Sequence, residues 1–358
     1  MNAQFTQHNL IFKQASGTSR GVLTTKETYL LEISKNGQKG IGECAIFRGL
    51  SYDDVPDYEE KLTWLCENIH SDFEVLKKEL LHYPSIIFGL EQAFLNLEHG
   101  EDLYFPSDFT DGKDSIKING LIWMGNADFM QSQIEEKLAK GFDCIKLKIG
   151  VDWKSEKEII KKLREKFPKE QLELRVDANG AFSYEEATIV LQELADLGIH
   201  SIEQPIKKSE VRSPKSEENS EKKSTDCCIP WNKMARLCAE TPTPIALDEE
   251  LIGIIDFEEK KKLLETIKPQ YIILKPALVG GFSGSDEWIA IAESLGINWW
   301  ITSALESNIG LNAICQYTYT KKNPLPQGLG TGALFTNNFE THLQLEGDQM
   351  WHKKTPYY

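Results

Sequence analysis

The chain has 358 residues and a net charge of −15, from 40 basic and 55 acidic side chains. That length allows one large domain with a smaller companion, and that charge argues against binding nucleic acid or an anionic membrane. No stretch is long and apolar enough to span a bilayer, and Met1-Asn-Ala-Gln lacks a signal-peptide pattern, so a cytoplasmic location is expected.

In chain order, Ser115-Ile-Lys-Ile-Asn-Gly-Leu-Ile-Trp123 reads as the first of a series of strands. The second is Cys144-Ile-Lys146-Leu-Lys148-Ile-Gly150, a buried strand that stops at glycine. Four more follow, and each releases a charged residue where it ends. Leu172 to Gly180 delivers Asp177, His200 to Pro205 delivers Glu203, Pro244 to Glu250 delivers Asp248, and Tyr271 to Pro276 delivers Lys275. Asn298-Trp-Trp-Ile-Thr302 is the seventh strand, and the glycine-rich Gln327 to Gly332 is the candidate eighth. Helical-period stretches fill the gaps, among them Trp153 to Phe167, Tyr184 to Leu197 and Phe257 to Ile267. Strands alternating with helices imply parallel βα units, and a run of them over 115–335 implies a barrel. An open doubly wound sheet is the alternative, but no Gly-x-Gly-x-x-Gly or P-loop follows a first strand.

A barrel places the residues of its strand ends at one rim, so Asp177, Glu203 and Asp248 become neighbours. Each alone is an ordinary helix cap or loop carboxylate. Three in succession repel one another unless a hard divalent ion sits among them, and an all-oxygen set suits Mg²⁺ or Mn²⁺. Strand side chains alternate, so Lys146 and Lys148 point the same way. Their mutual repulsion and burial are expected to lower a lysine pKa towards that of a useful base. Lys148 and Lys275 then stand on opposite sides of the carboxylates. A substrate carboxylate bound to the ion puts its α-carbon between them, which implies proton abstraction next to a carboxylate.

These motifs together resemble the enolase superfamily, in the Lys-x-Lys subgroup of muconate-lactonising enzymes, dipeptide epimerases and o-succinylbenzoate synthases. The resemblance implies an α/β fold, a (β/α)7β TIM-like barrel with an N-terminal α+β capping domain. Residues 1–112 are expected to form the cap and 113–335 the barrel, with 336–358 packing back on the cap. Phe88-Gly-Leu-Glu-Gln-Ala-Phe94 resembles the small-residue helix of such caps, and Ile41-Gly42-Glu43-Cys44-Ala45 a Gly-x-Gly-Glu-type strand end. The resemblance further implies that Asp177, Glu203 and Asp248 hold Mg²⁺, with Mn²⁺ as a substitute. Lys148 is then the base, Lys146 the neighbour that tunes it, and Lys275 the opposed lysine. Arg175 and Asn179 match positions that steady a metal carboxylate or the substrate. The absence of a histidine after the seventh strand disfavours the mandelate-racemase subgroup.

Ser303-Ala-Leu-Glu306-Ser307-Asn308-Ile-Gly310 and Gly328-Leu-Gly330-Thr331 resemble the last two strand ends of o-succinylbenzoate synthases. Ser303, Glu306, Ser307, Gly330 and Thr331 are therefore expected around the substrate. No Asp-x-Asp occurs in the last loop, where dipeptide epimerases usually bind an amino group. Ser16 to Thr25, with Arg20, is either a mobile loop closing over substrate or an ordinary hairpin connection. The implied reaction is syn dehydration of 2-succinyl-6-hydroxy-2,4-cyclohexadiene-1-carboxylate to 2-succinylbenzoate, in menaquinone biosynthesis. An N-acylamino-acid racemase or another epimerase or cycloisomerase on the same scaffold is the alternative. The expected partner is a small carboxylate substrate, and the sequence leaves the oligomeric state open.

Two features remain. The polar segment at about 207–226 is rich in Ser, Lys and Glu and reads as a mobile or disordered insertion at the active-site rim, either passive or serving as a lid or partner contact. The 7 cysteines include no Cys-x-x-Cys pair and read as reduced thiols; the adjacent Cys227 and Cys228 border the insertion.

Overall fold

The computed structural model describes residues 1–18, 21–123, 127–208 and 231–357. Arg20, Cys227, Cys228 and all but the first two residues of the expected insertion lie outside them.

The N-terminal part is an antiparallel sheet of β1 (Asn2–Thr18), β2 (Gly21–Lys35) and β3 (Gln38–Cys44), followed by α1 (Tyr58–Asn68), α2 (Phe73–Glu79) and α3 (Pro84–His99). The described residues of the stretch read as a mobile loop or a hairpin continue the β1–β2 ladder. Its register shifts between Ile11 and Ser16 and then resumes with Ser16 opposite Leu23. α3 starts at Pro84, whose missing N–H suits a first helical turn, and lies on β3. The two approach closely because the contact is built from glycine: a Cβ on Gly42 would sit 1.9 Å from the Gly89 carbonyl oxygen. Asn96 and Gln92 accept hydrogen bonds from the Ile41 and Glu43 amides at 2.9 and 3.3 Å. The edge strand is thus satisfied by helix side chains rather than left open.

Seven short parallel strands follow in one sheet: β5 (Gly120–Ile122), β6 (Cys144–Lys148), β7 (Glu173–Asp177), β8 (Ser201–Glu203), β9 (Ile245–Leu247), β10 (Tyr271–Leu274) and β11 (Asn298–Ile301). Helices fill the intervals: α4 (Ala127–Ala139), α5 (Trp153–Lys166), α6 (Tyr184–Asp196), α7 (Asn232–Glu240), α8 (Phe257–Ile267), α9 (Pro276–Val279) and α10 (Gly281–Ser294). α11 (Asn308–Thr320) follows the last strand. The sheet closes through two single bridges, Thr302 with Gly328 and Gln327 with Ile118. The candidate eighth strand is therefore two paired residues, because the Gln327 side chain itself takes the Ile301 amide at 2.8 Å.

The segment read as the first barrel strand divides in two. Ser115–Lys117 (β4) pairs antiparallel with β13 (Gln349–Tyr357), which forms a hairpin with β12 (Thr341–Glu346); Gly120–Ile122 forms the barrel ladder, and Ile118 adds the single bridge to Gln327. The residues between switch sheets, Ile118 donating to the Asp348 carbonyl and Asn119 to that of Gln327. The C-terminal segment touches β1 as well, where the Asn337 side chain accepts from the Ile11 amide at 2.8 Å.

Candidate active site

All five residues of β6 are buried, and its register sets Lys148 beside Asp177 of β7, which in turn sits beside Glu203 of β8. Asp248 and Lys275 leave the next two strands in the same direction. The three carboxylates are nearly inaccessible, at 1–2 % exposure, and three lysine ammonium groups stand among them. Lys146 Nζ donates to Glu203 at 2.6 Å and lies 3.6 Å from Asp177. Lys148 Nζ donates to Asp177 at 2.8 Å and to Asn179 at 2.6 Å. Lys275 donates to Asp248 and lies 3.7 Å from Glu203.

Burial alone pushes the Asp177 carboxyl up, but Lys148, Lys146 and Lys275 together hold it below the usual carboxylate range. Burial instead wins at Asp248, where Glu249 and Glu203 add to it, and that carboxyl rises well above its ordinary value. The expected depression of the lysine pair is reversed at Lys146. Burial lowers that ammonium's pKa, yet Glu203 and Asp177 outweigh burial and Lys275 together and leave it raised. At Lys275 burial likewise acts downward, and the carboxylates, Asp248 first, lift it well above normal.

The donor set fits a hard divalent ion. It is all oxygen, and Glu203 Oε1 is buried with no hydrogen-bond partner, an acceptor whose burial needs a cation. Lys275 Nζ lies 3.7 Å from that oxygen.

Asn179 makes the Lys148 contact from a left-handed backbone conformation, φ 45°, one that asparagine tolerates better than most residues. Its amide group also donates to Glu249 at 3.1 Å, so it ties Lys148 to the end of β9, two strands beyond its own. Gln204 does similar work one strand on: its side-chain oxygen accepts from the amides of Asp248 and Glu250 at 3.3 and 3.2 Å.

A pocket opens above this row. Asn179, Ser303, Gly330 and Thr331 line it, together with Asn119, Leu121, Trp123, Thr302, Phe47 and Leu50, which sequence reasoning did not single out. The signal for Leu121 was its place on a strand entering the barrel. Phe47 and Leu50 come from the cap and carry no local mark. Three expected residues stand elsewhere. Arg175 lies deeper in the barrel, donating to Glu173 and the Pro326 carbonyl at 2.7 and 2.9 Å with its guanidinium 4.2 Å from the Trp300 ring centroid. It faces the barrel interior two residues before Asp177, below the row rather than in it. Glu306 supports the pocket from behind, accepting from Ser303 Oγ at 2.6 Å and the Ala304 amide at 2.8 Å. Ser307 turns to the cap, donating to Glu43 through its amide at 2.9 Å and its hydroxyl.

Residues 130–216 and 226–351 match the family model described as enolase C-terminal domain-like. The chain belongs to that family. An o-succinylbenzoate synthase of Desulfotalea psychrophila is 41% identical over 97% of this chain and 98% of its own length. The crystal structure of MenC from that organism superposes with a TM-score of 0.82 at 39% identity, covering 98% of this chain and 99% of that one. An N-succinylamino acid racemase of Thermus thermophilus is 28% identical over 82% of this chain and 75% of its own. The muconate lactonizing enzyme of Pseudomonas fluorescens, with TM-score 0.77 and 19% identity over 99% of this chain and 94% of that one, shares the family's barrel fold. Among the described residues no helix is long and apolar enough to cross a membrane.

Proposed function

We propose that the chain is an o-succinylbenzoate synthase that dehydrates 2-succinyl-6-hydroxy-2,4-cyclohexadiene-1-carboxylate to 2-succinylbenzoate, in menaquinone biosynthesis. The observation that carries this reading is the near-full-length similarity to the Desulfotalea synthase, joined to two lysines on opposite sides of a buried carboxylate row.

Asp177, Glu203 and Asp248 are the residues that would hold Mg²⁺ (Mn²⁺ as a substitute). When bound, the ion neutralises charge that develops on the substrate carboxylate as the α-proton leaves. Asn179 holds the Lys148 ammonium at 2.6 Å, beside the carboxylate that would be a metal ligand, and so positions this base. Lys148 then takes the α-proton and hands it to the departing hydroxyl on the same face, so that water leaves and the ring becomes aromatic. Lys275 stays protonated and stabilises the enediolate from the other face, while Lys146 sets the local charge. Asn179, Ser303, Gly330 and Thr331 face the substrate. The described cysteines are free thiols, which fits a cytoplasmic site of action.

A second reading, racemisation of N-acylamino acids, is favoured by the likeness to the Thermus enzyme and would use Lys148 and Lys275 as opposed bases. The test is product formation by the purified chain with Mg²⁺, run beside a panel of N-succinylamino acids in deuterated water. Formation of 2-succinylbenzoate that is lost in Lys148→Ala supports the synthase. Deuterium exchange without that product would overturn it.

A further inference from the structure

Far from the pocket, three side chains from separate segments converge on one point. Asp102 follows α3, His342 is on β12 and His352 on β13. Asp102 Oδ2 lies 2.5 Å from His342 Nδ1 and 3.1 Å from His352 Nε2, and the three candidate ligand atoms all fall within 4.8 Å of one another. Among the described residues no other trio of His, Cys, Asp or Glu side chains brings its ligand atoms together in this way.

We propose that Asp102, His342 and His352 form a second metal site that takes a Zn²⁺-class ion and clamps the C-terminal hairpin to the segment joining cap and barrel. Two imidazoles and one carboxylate make a donor set suited to Zn²⁺ and poorly suited to Mg²⁺, which prefers oxygen. The 3.1 Å separation of Asp102 Oδ2 and His352 Nε2 is close to the edge of a tetrahedron with metal–ligand bonds of about 2 Å, and the 2.5 Å contact of Asp102 Oδ2 with His342 Nδ1 would have to open by roughly 0.8 Å to match it. The ligands are held from outside. Asn312 and Gln316 on α11 donate to the Asp102 carbonyl at 2.9 and 2.8 Å, and Asn312 also reaches Oδ2 at 3.4 Å. Supporting contacts of this kind orient a metal carboxylate. His352 is buried, and its Nδ1 has no partner, so the cluster is where this ring finds its polar contact. Asp102 and His342 are partly exposed, at 30% and 26% of their side chains, which leaves an entry path and room for water as fourth ligand.

The test strips the full chain with a chelator, saturates it with Mg²⁺, and titrates Zn²⁺ or Co²⁺. The readouts are bound metal per chain, the visible Co²⁺ spectrum and the thermal midpoint. The wild type should retain one equivalent of Zn²⁺ against Mg²⁺ and melt at higher temperature with it. His342→Ala and Asp102→Asn should lose that equivalent, and Asp248→Asn should keep it. Circular dichroism checks that the variants are folded. Because His342 is partly exposed, His342→Gln serves as the gentler variant if His342→Ala unfolds. Equal uptake by wild type and the folded His342 variant would overturn the proposal. So would a wild type that takes up no Zn²⁺, which would make the trio a hydrogen-bonded clamp only.

Discussion

Glu43 is the residue through which the cap holds the barrel rim, and Glu43→Gln measures that hold. Its carboxylate is fully buried and accepts four hydrogen bonds: from Thr28 Oγ1 at 2.8 Å, Ser307 N at 2.9 Å, Ser307 Oγ at 2.5 Å and Gly310 N at 2.9 Å. Each oxygen takes two donors. Glutamine keeps the shape but has one acceptor oxygen; its NH2 can donate to the hydroxyl on its side, Thr28 or Ser307, turned to accept, but it also meets a backbone N–H, of Ser307 or Gly310, that is left without an acceptor. At about 1–3 kcal/mol for a buried group left unpaired, the loss is about 1–3 kcal/mol. Lys26, buried and without a hydrogen-bond partner, loses a nearby negative charge as well. Against a typical total stability of about 5–15 kcal/mol, a loss of that size moves the urea midpoint clearly. Because Ser307 adjoins Glu306, which holds Ser303 in the pocket, KM should rise more than kcat falls. The assay is urea unfolding followed by fluorescence, with steady-state kinetics on the folded variant. A stability loss under about 1 kcal/mol with unchanged KM would refute this account of the cap contact.

Lys148→Ala should lower kcat roughly a hundred- to ten-thousand-fold while the fold, checked by circular dichroism, is kept. Chelation should abolish turnover of 2-succinylbenzoate formation, and Mg²⁺ should restore it. Gly42→Ala pushes a methyl group into the Gly89 carbonyl, 1.9 Å away, and should destabilise by about 1–3 kcal/mol or more, read from the urea midpoint. Burial pushes the Asp53 carboxyl up to about 6, although Ser85 donates to it twice. A raised carboxyl favours the folded state below its unfolded pKa and loses that contribution as pH climbs from about 4 through about 6. Stability from this group should therefore fall by about 3 kcal/mol over that window, and Asp53→Asn should flatten the profile. Equal pH profiles for the two proteins would count against the assignment.

Much of the site was legible because each strand is short and stops at a charged residue. Asp177, Glu203, Asp248, Lys275 and the lysine pair stand at strand ends whatever the details of packing. The misreadings come from partners distant in sequence. Ser115 to Trp123 alternates like one strand, and only the hairpin at Thr341 to Tyr357 divides it between two sheets. Arg175 has the right alternation to face the barrel interior, but depth along the axis decides between rim and floor, and Trp300 and Pro326 hold it at the floor. Glu306 and Ser307 lie in a motif whose neighbours line the pocket. Glu306 folds back on Ser303 and Ala304, and Ser307 turns to Glu43, which lies in another part of the chain. At Lys146 the carboxylates Glu203 and Asp177, brought in from later strands, outweigh burial and the Lys275 ammonium, which the Lys-x-Lys spacing alone does not show.

One helix joins these parts. The start of α11 carries the amides that hold Glu43. One turn later Asn312 holds Asp102, and Gln316 both holds Asp102 and accepts from the amides of Tyr104 and Phe105 at 2.7 and 2.9 Å. Its far end reaches Asp286 and Asp114 through Tyr317 and Tyr319. The cap, the joining segment and the barrel therefore share one rod. α11 amides should exchange with solvent only when the whole molecule opens, as the slowest set in a hydrogen-exchange map. A barrel expressed without residues 1–112 would leave this helix with unanswered donors at its head and along its side. Cap and barrel are therefore expected to unfold in one transition, read by urea denaturation with two probes.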